Sequence, residues 1–526
     1  MAWAAALNSP QPPVVETVSG TVPSPASPHP PTAIVTSISQ KCSTGVPGLD
    51  DILAGGLPAT CLYLIEGSPG VGKTTLAMQF LLEGTRNGEG CLYLTLSETK
   101  GELEAVAASH GWDLGGIAII ELSAAERLIG ANRGSTLFHP GEMELAQLTR
   151  LLLEEVDRIR PARVVLDSLS EMRLLAQSPL RYRREILALK QQLGAKGCTV
   201  LLLDDRSHEG TEGQVHSIVH GAITLSAAPL SYGIFRRTLH VGKLRGVNFR
   251  EGSHDYIIAR GGLRVFARLV AADHHASFGK KSARSGNAKL DTLLGDGLHY
   301  GTSNLLIGPA GSAKTTIATM FAHAAAARGE QVSYYVFDET VGTLVDRAVQ
   351  MKTDLRPHVE SGRVQLNQMD PAHVSPGELA HRIKSSVEEH DTRVVVLDSL
   401  NGYVTAMPHE EFLHLHLHEL LSYLNQQGVM TLMILAQHGL VGPMGTPIDV
   451  SYLADSVVIT RFFEIHGAIH KAISIIKKRS GPHEATLREL TMTAEGIVIG
   501  EPLKEFQGVL TGVPSYLGGS RGGSLK

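Results

Sequence analysis

The residues best suited to chemistry form one short stretch, Gly67-Ser68-Pro69-Gly70-Val71-Gly72-Lys73-Thr74-Thr75, which has the form G-x-x-x-x-G-K-T. In such a stretch the glycines let backbone N–H groups close around phosphates, and the N-terminus of the following helix adds a favourable dipole. Lys73 is placed to neutralise the β- and γ-phosphates, and the Thr74 hydroxyl to ligate Mg²⁺. A second stretch, Gly308-Pro309-Ala310-Gly311-Ser312-Ala313-Lys314-Thr315-Thr316, repeats the pattern about 240 residues later. It has Ala313 where the first has Gly72. That methyl group is nearly free at negative φ but costs about 1 kcal/mol or more at positive φ.

Phosphoryl chemistry also needs a carboxylate to hold the metal and a group to orient or deprotonate the nucleophile. Asp167 and Asp398 each end an apolar run, Arg163-Val-Val-Leu and Arg393-Val-Val-Val-Leu, where a Mg²⁺-binding aspartate belongs. Thr74, Asp167, Thr315 and Asp398 are therefore the candidate metal ligands. Glu98 and Glu339 end the strand that follows each phosphate-loop helix. A strand-end glutamate on its own reads as a solvated charge, but its recurrence beside two phosphate loops favours a general base. Asp338 stands before Glu339, whereas Ser97 stands before Glu98, so Glu98, Asp338 and Glu339 are the candidate catalytic residues.

These groups need a scaffold that brings strand ends together. Leu62-Tyr-Leu-Ile65, Cys91-Leu-Tyr-Leu-Thr-Leu, Ile117-Ala-Ile-Ile, Arg163–Asp167 and Thr199–Asp204 read as buried strands. Between them Leu76–Leu82, Lys100–His110, Glu142–Arg160 and Arg181–Leu193 have helical character. Alternating strands and helices of this length predict an α/β fold with a mostly parallel sheet covered on both faces. Ala222-Ile-Thr-Leu, Arg237–Lys243 and Tyr256-Ile-Ile-Ala read as antiparallel strands added at one edge. Strand, loop, Glu, Leu-Asp-Ser and Lys-x-Arg landmarks then recur in one order in the second half, which marks a tandem duplication joined within Ala267–Arg284. Nothing in the residues themselves says what Lys243/Arg245 and Lys477/Arg479 touch. His414, His416 and His418 fall in a helix-like run, and no carboxylate or third ligand is evident beside them.

The chain has 526 residues, 43% hydrophobic and 19% charged, with a net charge of −5. That composition is globular, and its near-neutral charge with no basic stripe argues against a nucleic-acid partner. Cys42, Cys61, Cys91 and Cys198 form no CxxC pair and read as free thiols of a reducing compartment. No apolar run approaches the ~20 residues that span a bilayer, and no secretion signal is visible, so a cytoplasmic protein is expected. Pro10, Pro12, Pro13, Pro23, Pro25, Pro28, Pro30 and Pro31 mark a disordered N-terminal tail. The expected division is a tail at 1–40, ATPase domains at 41–268 and 269–500, and a C-terminal tail at 501–526.

Together, Ser43-Thr-Gly-Val-Pro-Gly-Leu-Asp, the phosphate loop, the strand-end Glu, the Leu-Asp-Ser strand and the Lys-x-Arg strand resemble the KaiC-like branch of RecA-type ATPases. The resemblance covers Ser43 to Ile499. It implies two RecA-like P-loop domains that use ATP and Mg²⁺, assembled as a homo-oligomer, a two-tiered hexamer with ATP between subunits. It implies that Lys243, Arg245, Lys477 and Arg479 reach the nucleotide held by the neighbouring subunit, and that the second half carries serine/threonine autokinase activity. The family's adjacent phosphoacceptors align with Ser451-Tyr452, making Ser451 the candidate acceptor, and the role implied is signalling or clock-like regulation with a protein partner. Two other classes share these features: a DNA-dependent ATPase of the recombinase or helicase type, and a nucleotide-sensing scaffold with little turnover.

Overall fold

Leu62–Gly67 is buried along its whole length, and its side chains divide between two apolar layers. Tyr63 and Ile65 face Leu76, Phe80 and Leu81 of the helix Lys73–Arg86. Leu62 and Leu64 face Leu152 and Val156 of Pro140–Ile159 and Ile186 and Leu189 of Pro179–Ala195. A strand apolar on both sides requires cover on both sides, which is why helices flank this sheet on each face. The second half repeats the arrangement: Leu306 faces Phe321 on one side, and Leu305 faces Leu417 and Leu421 on the other.

The structure is a computed structural model. It describes residues 40–122, 140–176, 178–205, 212–229, 235–279, 281–370, 372–405, 410–439, 445–446, 449–465, 467–511 and 515–516. The Pro-rich tail expected at the N-terminus lies outside the described residues, apart from residue 40. Among the described residues there are two nine-stranded sheets. From one edge, the first runs Ile117–Glu121, Cys91–Thr95, Arg163–Asp167, Thr199–Asp205, Leu62–Gly67 and Gly221–Ala228, all parallel. Arg236–Leu244, Ser253–Ala259 and Gly262–Phe266 then continue it antiparallel. The second sheet has the same order: Val364–Gln368, Gln331–Val336, Thr392–Asp398, Met430–Gln437, Ser303–Pro309 and Ser456–Ile465 parallel, then Ala468–Lys478, Arg488–Thr493 and Gly496–Pro502 antiparallel.

One expected orientation is corrected. The segment at Ala222 belongs to the parallel set, because Gly221–Ala228 runs alongside Leu62–Gly67, and the antiparallel edge begins one strand later. A helix, Glu212–Ile218, enters this strand, and a crossover through a helix delivers a parallel neighbour.

The last strand of the first sheet ends at Phe266, and a short antiparallel pair, Ser282–Ala283 with Leu298–His299, opens the second half. The halves touch beyond this connection. Gly377 N–H, in the first turn of the helix Pro376–His390, donates to Asp255 Oδ2 at 2.8 Å, and Arg268 pairs with Glu419 at 3.3 Å. No helix of the described residues is long and apolar enough to cross a membrane.

Candidate active site

Parallel strands all point their C-terminal ends the same way, so the residues that close them collect along one edge of the sheet, where open α/β sheets place their ligands. In the first half that edge carries the loop after Leu62–Gly67, Asp167 and Glu98. The loop turns into the helix Lys73–Arg86 through Gly72, whose φ of 101° lies in the left-handed region. Lys73 Nζ donates to Gly67 O at 2.8 Å and Ser68 O at 3.1 Å, and pairs with Asp205 at 2.7 Å. The ammonium is thus folded over its own loop.

Thr74 Oγ1 lies 3.3 Å from Asp167 Oδ2, and that same oxygen accepts from the Tyr93 hydroxyl at 2.6 Å. Burial pushes the Asp167 carboxyl above its ordinary range, while the hydrogen bonds from Tyr93 and Thr74 oppose that shift. Glu98 lies three residues beyond the adjacent strand, Cys91–Thr95, which pairs with Arg163–Asp167. Its backbone is pinned by Thr95, whose hydroxyl accepts from Glu98 N–H at 2.9 Å and donates to Glu98 O at 2.8 Å. Glu98 Oε2 is buried with no hydrogen-bond partner. Burial, with Asp167 nearby, pushes this carboxyl up. A buried acceptor without a donor is rare in folded proteins, and this one belongs to a carboxylate close enough to Asp167 to feel its charge.

The second half rebuilds the same frame with different partners. Lys314 Nζ donates to Pro309 O at 2.7 Å. Ala436, in the sheet register that Asp205 occupies in the first half, offers no carboxylate. Burial pushes Lys314 down to about 8, opposed by Asp398. Asp398 accepts from the Tyr334 hydroxyl at 2.9 Å, and burial pushes its carboxyl up to about 6 against hydrogen bonds from Tyr334 and Thr315. Ala313 adopts φ 77°, ψ 13°, so the alanine sits in the conformation that disfavours a side chain. Asp338 accepts a hydrogen bond from the Ser399 hydroxyl. Both oxygens of Glu339 are taken by the Arg347 guanidinium.

The Lys-x-Arg cations hold backbone carbonyls of their own chain, in matching fashion. Lys243 Nζ donates to His216 O at 2.5 Å and Arg245 to Ser217 O at 3.0 Å. Lys477 Nζ donates to Ser451 O at 2.9 Å and Arg479 to Tyr452 O at 3.1 Å. Each pair therefore braces the segment that leads into the sixth parallel strand, the end of the helix Glu212–Ile218 in the first half and a turn in the second. In the second half that turn carries Ser451, whose hydroxyl donates to Asp449 Oδ1 at 2.7 Å. Hydrogen bonds from the Ser451 side chain and backbone hold the Asp449 carboxyl below its ordinary range.

Sequence reasoning missed Tyr93, Tyr334, Asp205 and Arg347. The tyrosines look like ordinary strand residues until the pleat turns their hydroxyls towards the neighbouring aspartate. The repeat was the available signal, since Tyr93 and Tyr334 hold corresponding places in their strands.

The sequence compares with known proteins along nearly all of this frame. The KaiC ATPase family model matches residues 42–270 and again 283–504. The chain belongs to the KaiC family of ATPases. It is 26% identical over 487 residues to "Circadian clock protein KaiC3" of Synechocystis sp. (strain ATCC 27184 / PCC 6803 / Kazusa), covering 91% of this chain and 95% of that protein. It is 24% identical over 491 residues to "Circadian clock oscillator protein KaiC" of Synechococcus elongatus, covering 91% and 92%. The two matched KaiC segments coincide with the two sheets, so each half supplies its own phosphate loop, aspartate and glutamate.

Proposed function

We propose that this KaiC-family chain binds Mg·ATP at both phosphate loops, hydrolyses it, and transfers phosphate to its own Ser451. The observation that carries the reading is the convergence of Lys73, the Thr74–Asp167 pair and the unpartnered Glu98 oxygen at one sheet edge. Lys73 and Lys314 would neutralise phosphate charge, and Thr74 with Asp167, and Thr315 with Asp398, would hold Mg²⁺. That ion supplies charge neutralisation on the phosphate oxygens as they develop charge. Glu98 takes a proton from the attacking water as the water oxygen bonds to the γ-phosphorus and the bond to the β–γ bridging oxygen breaks.

For the autokinase step the Ser451 hydroxyl replaces water. Its oxygen bonds to the γ-phosphorus, ADP leaves, and the proton passes to Asp449, to which it is already hydrogen-bonded. Ser451 reaches the second nucleotide of an adjacent subunit in a homo-hexamer with ATP at its interfaces, where Lys243, Arg245, Lys477 and Arg479 face the neighbour's nucleotide. The setting is cytoplasmic signalling or clock-like regulation through a protein partner.

One experiment separates the readings: wild type, Lys73→Ala, Lys314→Ala and Asp449→Asn are incubated with Mg·ATP, with and without single-stranded DNA, then assayed for bound nucleotide, released phosphate and, by intact and peptide mass, the site of any phosphate. Each lysine variant is expected to lose nucleotide binding at its own loop only. One phosphate on Ser451 is expected in wild type and absent in Lys314→Ala and Asp449→Asn. Phosphate mapped elsewhere removes Ser451 as acceptor. Several-fold stimulation by DNA supports the recombinase-type alternative, and absence of turnover supports the nucleotide-sensing scaffold.

A further inference from the structure

The two halves differ most at the one residue that would activate water. Glu98 and Glu339 each lie three residues beyond equivalent strands, Cys91–Thr95 and Gln331–Val336, and each is followed by a threonine that caps the next helix. Eight residues beyond the glutamate the first half has Val106 and the second has Arg347. Val106 packs against the apolar core and has nothing to donate, which leaves Glu98 Oε2 buried and unpartnered. Arg347 lies on the helix Val341–Gln350. Side chains of a helix lean towards its N-terminus, and a long one two turns in reaches back to the strand end. Its two terminal nitrogens close on both oxygens of Glu339. Such a bidentate pair fixes the carboxylate and occupies the lone pairs that would accept a proton from water. Asp338 is also engaged, by Ser399.

We propose that Arg347 is a positioning residue that restrains Glu339, so that the C-terminal site holds ATP with slow hydrolysis while the N-terminal site, where no such cation pairs with Glu98 Oε2 among the described residues, turns it over. This rests on the reading of Glu98 and Glu339 as bases for water. The restraint leaves phosphate transfer to Ser451 intact, because that hydroxyl carries its own acceptor in Asp449.

The test isolates each site in the full-length chain, with Lys73→Ala to silence the first and Lys314→Ala to silence the second. In the Lys73→Ala background, Arg347→Val is expected to raise phosphate release about tenfold or more, a modest share of what a free general base contributes. Glu339→Gln added to it is expected to cancel the gain. In the Lys314→Ala background the reciprocal Val106→Arg is expected to lower release about tenfold, and Glu98→Gln to abolish it. A second readout needs no nucleotide. Thermal melting of Arg347→Val and Glu339→Gln should show that each lowers the transition, and that the double variant lowers it no further than either single change. Unchanged or reduced release in Arg347→Val, with the melting signature of the pair intact, overturns the restraint and makes Arg347 a helper of Glu339. Release that rises in Arg347→Val but survives Glu339→Gln also overturns it. Unchanged release in Glu98→Gln instead removes the underlying reading of these glutamates as bases, a separate failure.

Discussion

At position 313 a methyl group sits where the backbone asks for none. Ala313 and Gly72 occupy the same place in their loops, at φ 77° and 101°, and both enter the helix from the left-handed region. For an L-residue that conformation costs about 1–2 kcal/mol, partly offset by the lower entropy of unfolded alanine relative to glycine. At Gly72 an added Cβ would also meet Ile258 Cδ1 at 2.6 Å. Ala313→Gly is therefore expected to stabilise the second half by up to about 1 kcal/mol, raising its melting transition by about 2–4 °C. Gly72→Ala is expected to lower the first transition by at least as much. Calorimetry of the two variants checks both signs, and a destabilised Ala313→Gly would show that the loop gains more from the methyl group than it loses in strain.

The helix Lys100–His110 starts two residues after Glu98, with Thr99 between them as its cap, so that cap also sets the glutamate's backbone. Thr99 and Glu102 form a reciprocal capping box: Thr99 N–H donates to Glu102 Oε2 at 2.8 Å, and Glu102 N–H donates to Thr99 Oγ1 at 3.3 Å. In the second half Thr340 accepts from Thr343 N–H at 3.2 Å, but residue 343 has no carboxylate to return the bond. Thr99→Ala is expected to cost about 1 kcal/mol and to lower turnover at the first site several-fold; Thr340→Ala should cost less. Equilibrium denaturation with parallel phosphate-release assays tests this, and full turnover in a destabilised Thr99→Ala would separate the cap from the site. Elements of this kind were legible in the sequence, since apolar periodicity and cap residues are local. Lys100–His110 is recovered residue for residue, and Pro179–Ala195 to within two residues. The direction of Gly221–Ala228 was not legible, because parallel pairing depends on a crossover rather than on the strand's own residues. The loops, aspartates and glutamates were legible because the repeat marks them. Arg347, Tyr93 and Asp205 act through tertiary proximity, and nothing in their local sequence announces a partner.

Across the whole molecule, the passage from the first half to the second runs through a neutral histidine. His254 is fully buried in the strand Ser253–Ala259. Its Nδ1 accepts from Arg268 N–H at 2.9 Å, which makes Nε2 the protonated nitrogen donating to Arg250 O at 3.0 Å. Both ring nitrogens are satisfied only while the ring is uncharged. Burial, with Arg250, Arg268 and His240 nearby, pushes its pKa below the ordinary value. The neighbouring Asp255 accepts from Gly377 N–H, and Arg268 pairs with Glu419, so this ring fixes two residues on which contacts between the halves depend. The sign follows from proton linkage. Above about pH 6.5 the ring is neutral folded or unfolded, and its contribution is present in full. Below that the unfolded chain binds the proton first, so stability falls with pH until the depressed folded pKa is reached. The raised carboxyls of Glu98 and Asp398 act in the opposite sense, taking up protons in the folded state. A comparison of slopes therefore isolates the histidine. His254→Gln keeps a donor and an acceptor but cannot titrate in this range. Its unfolding free energy is expected to fall less steeply than that of wild type between pH 6.5 and pH 5, by up to about 1.4 kcal/mol for each pH unit over which the folded ring resists protonation. Parallel denaturation curves at pH 7.5, 6.5, 5.5 and 5.0 decide it. Identical slopes in the two proteins would mean that His254 takes up its proton within the fold, and that the passage between the halves bends to admit it.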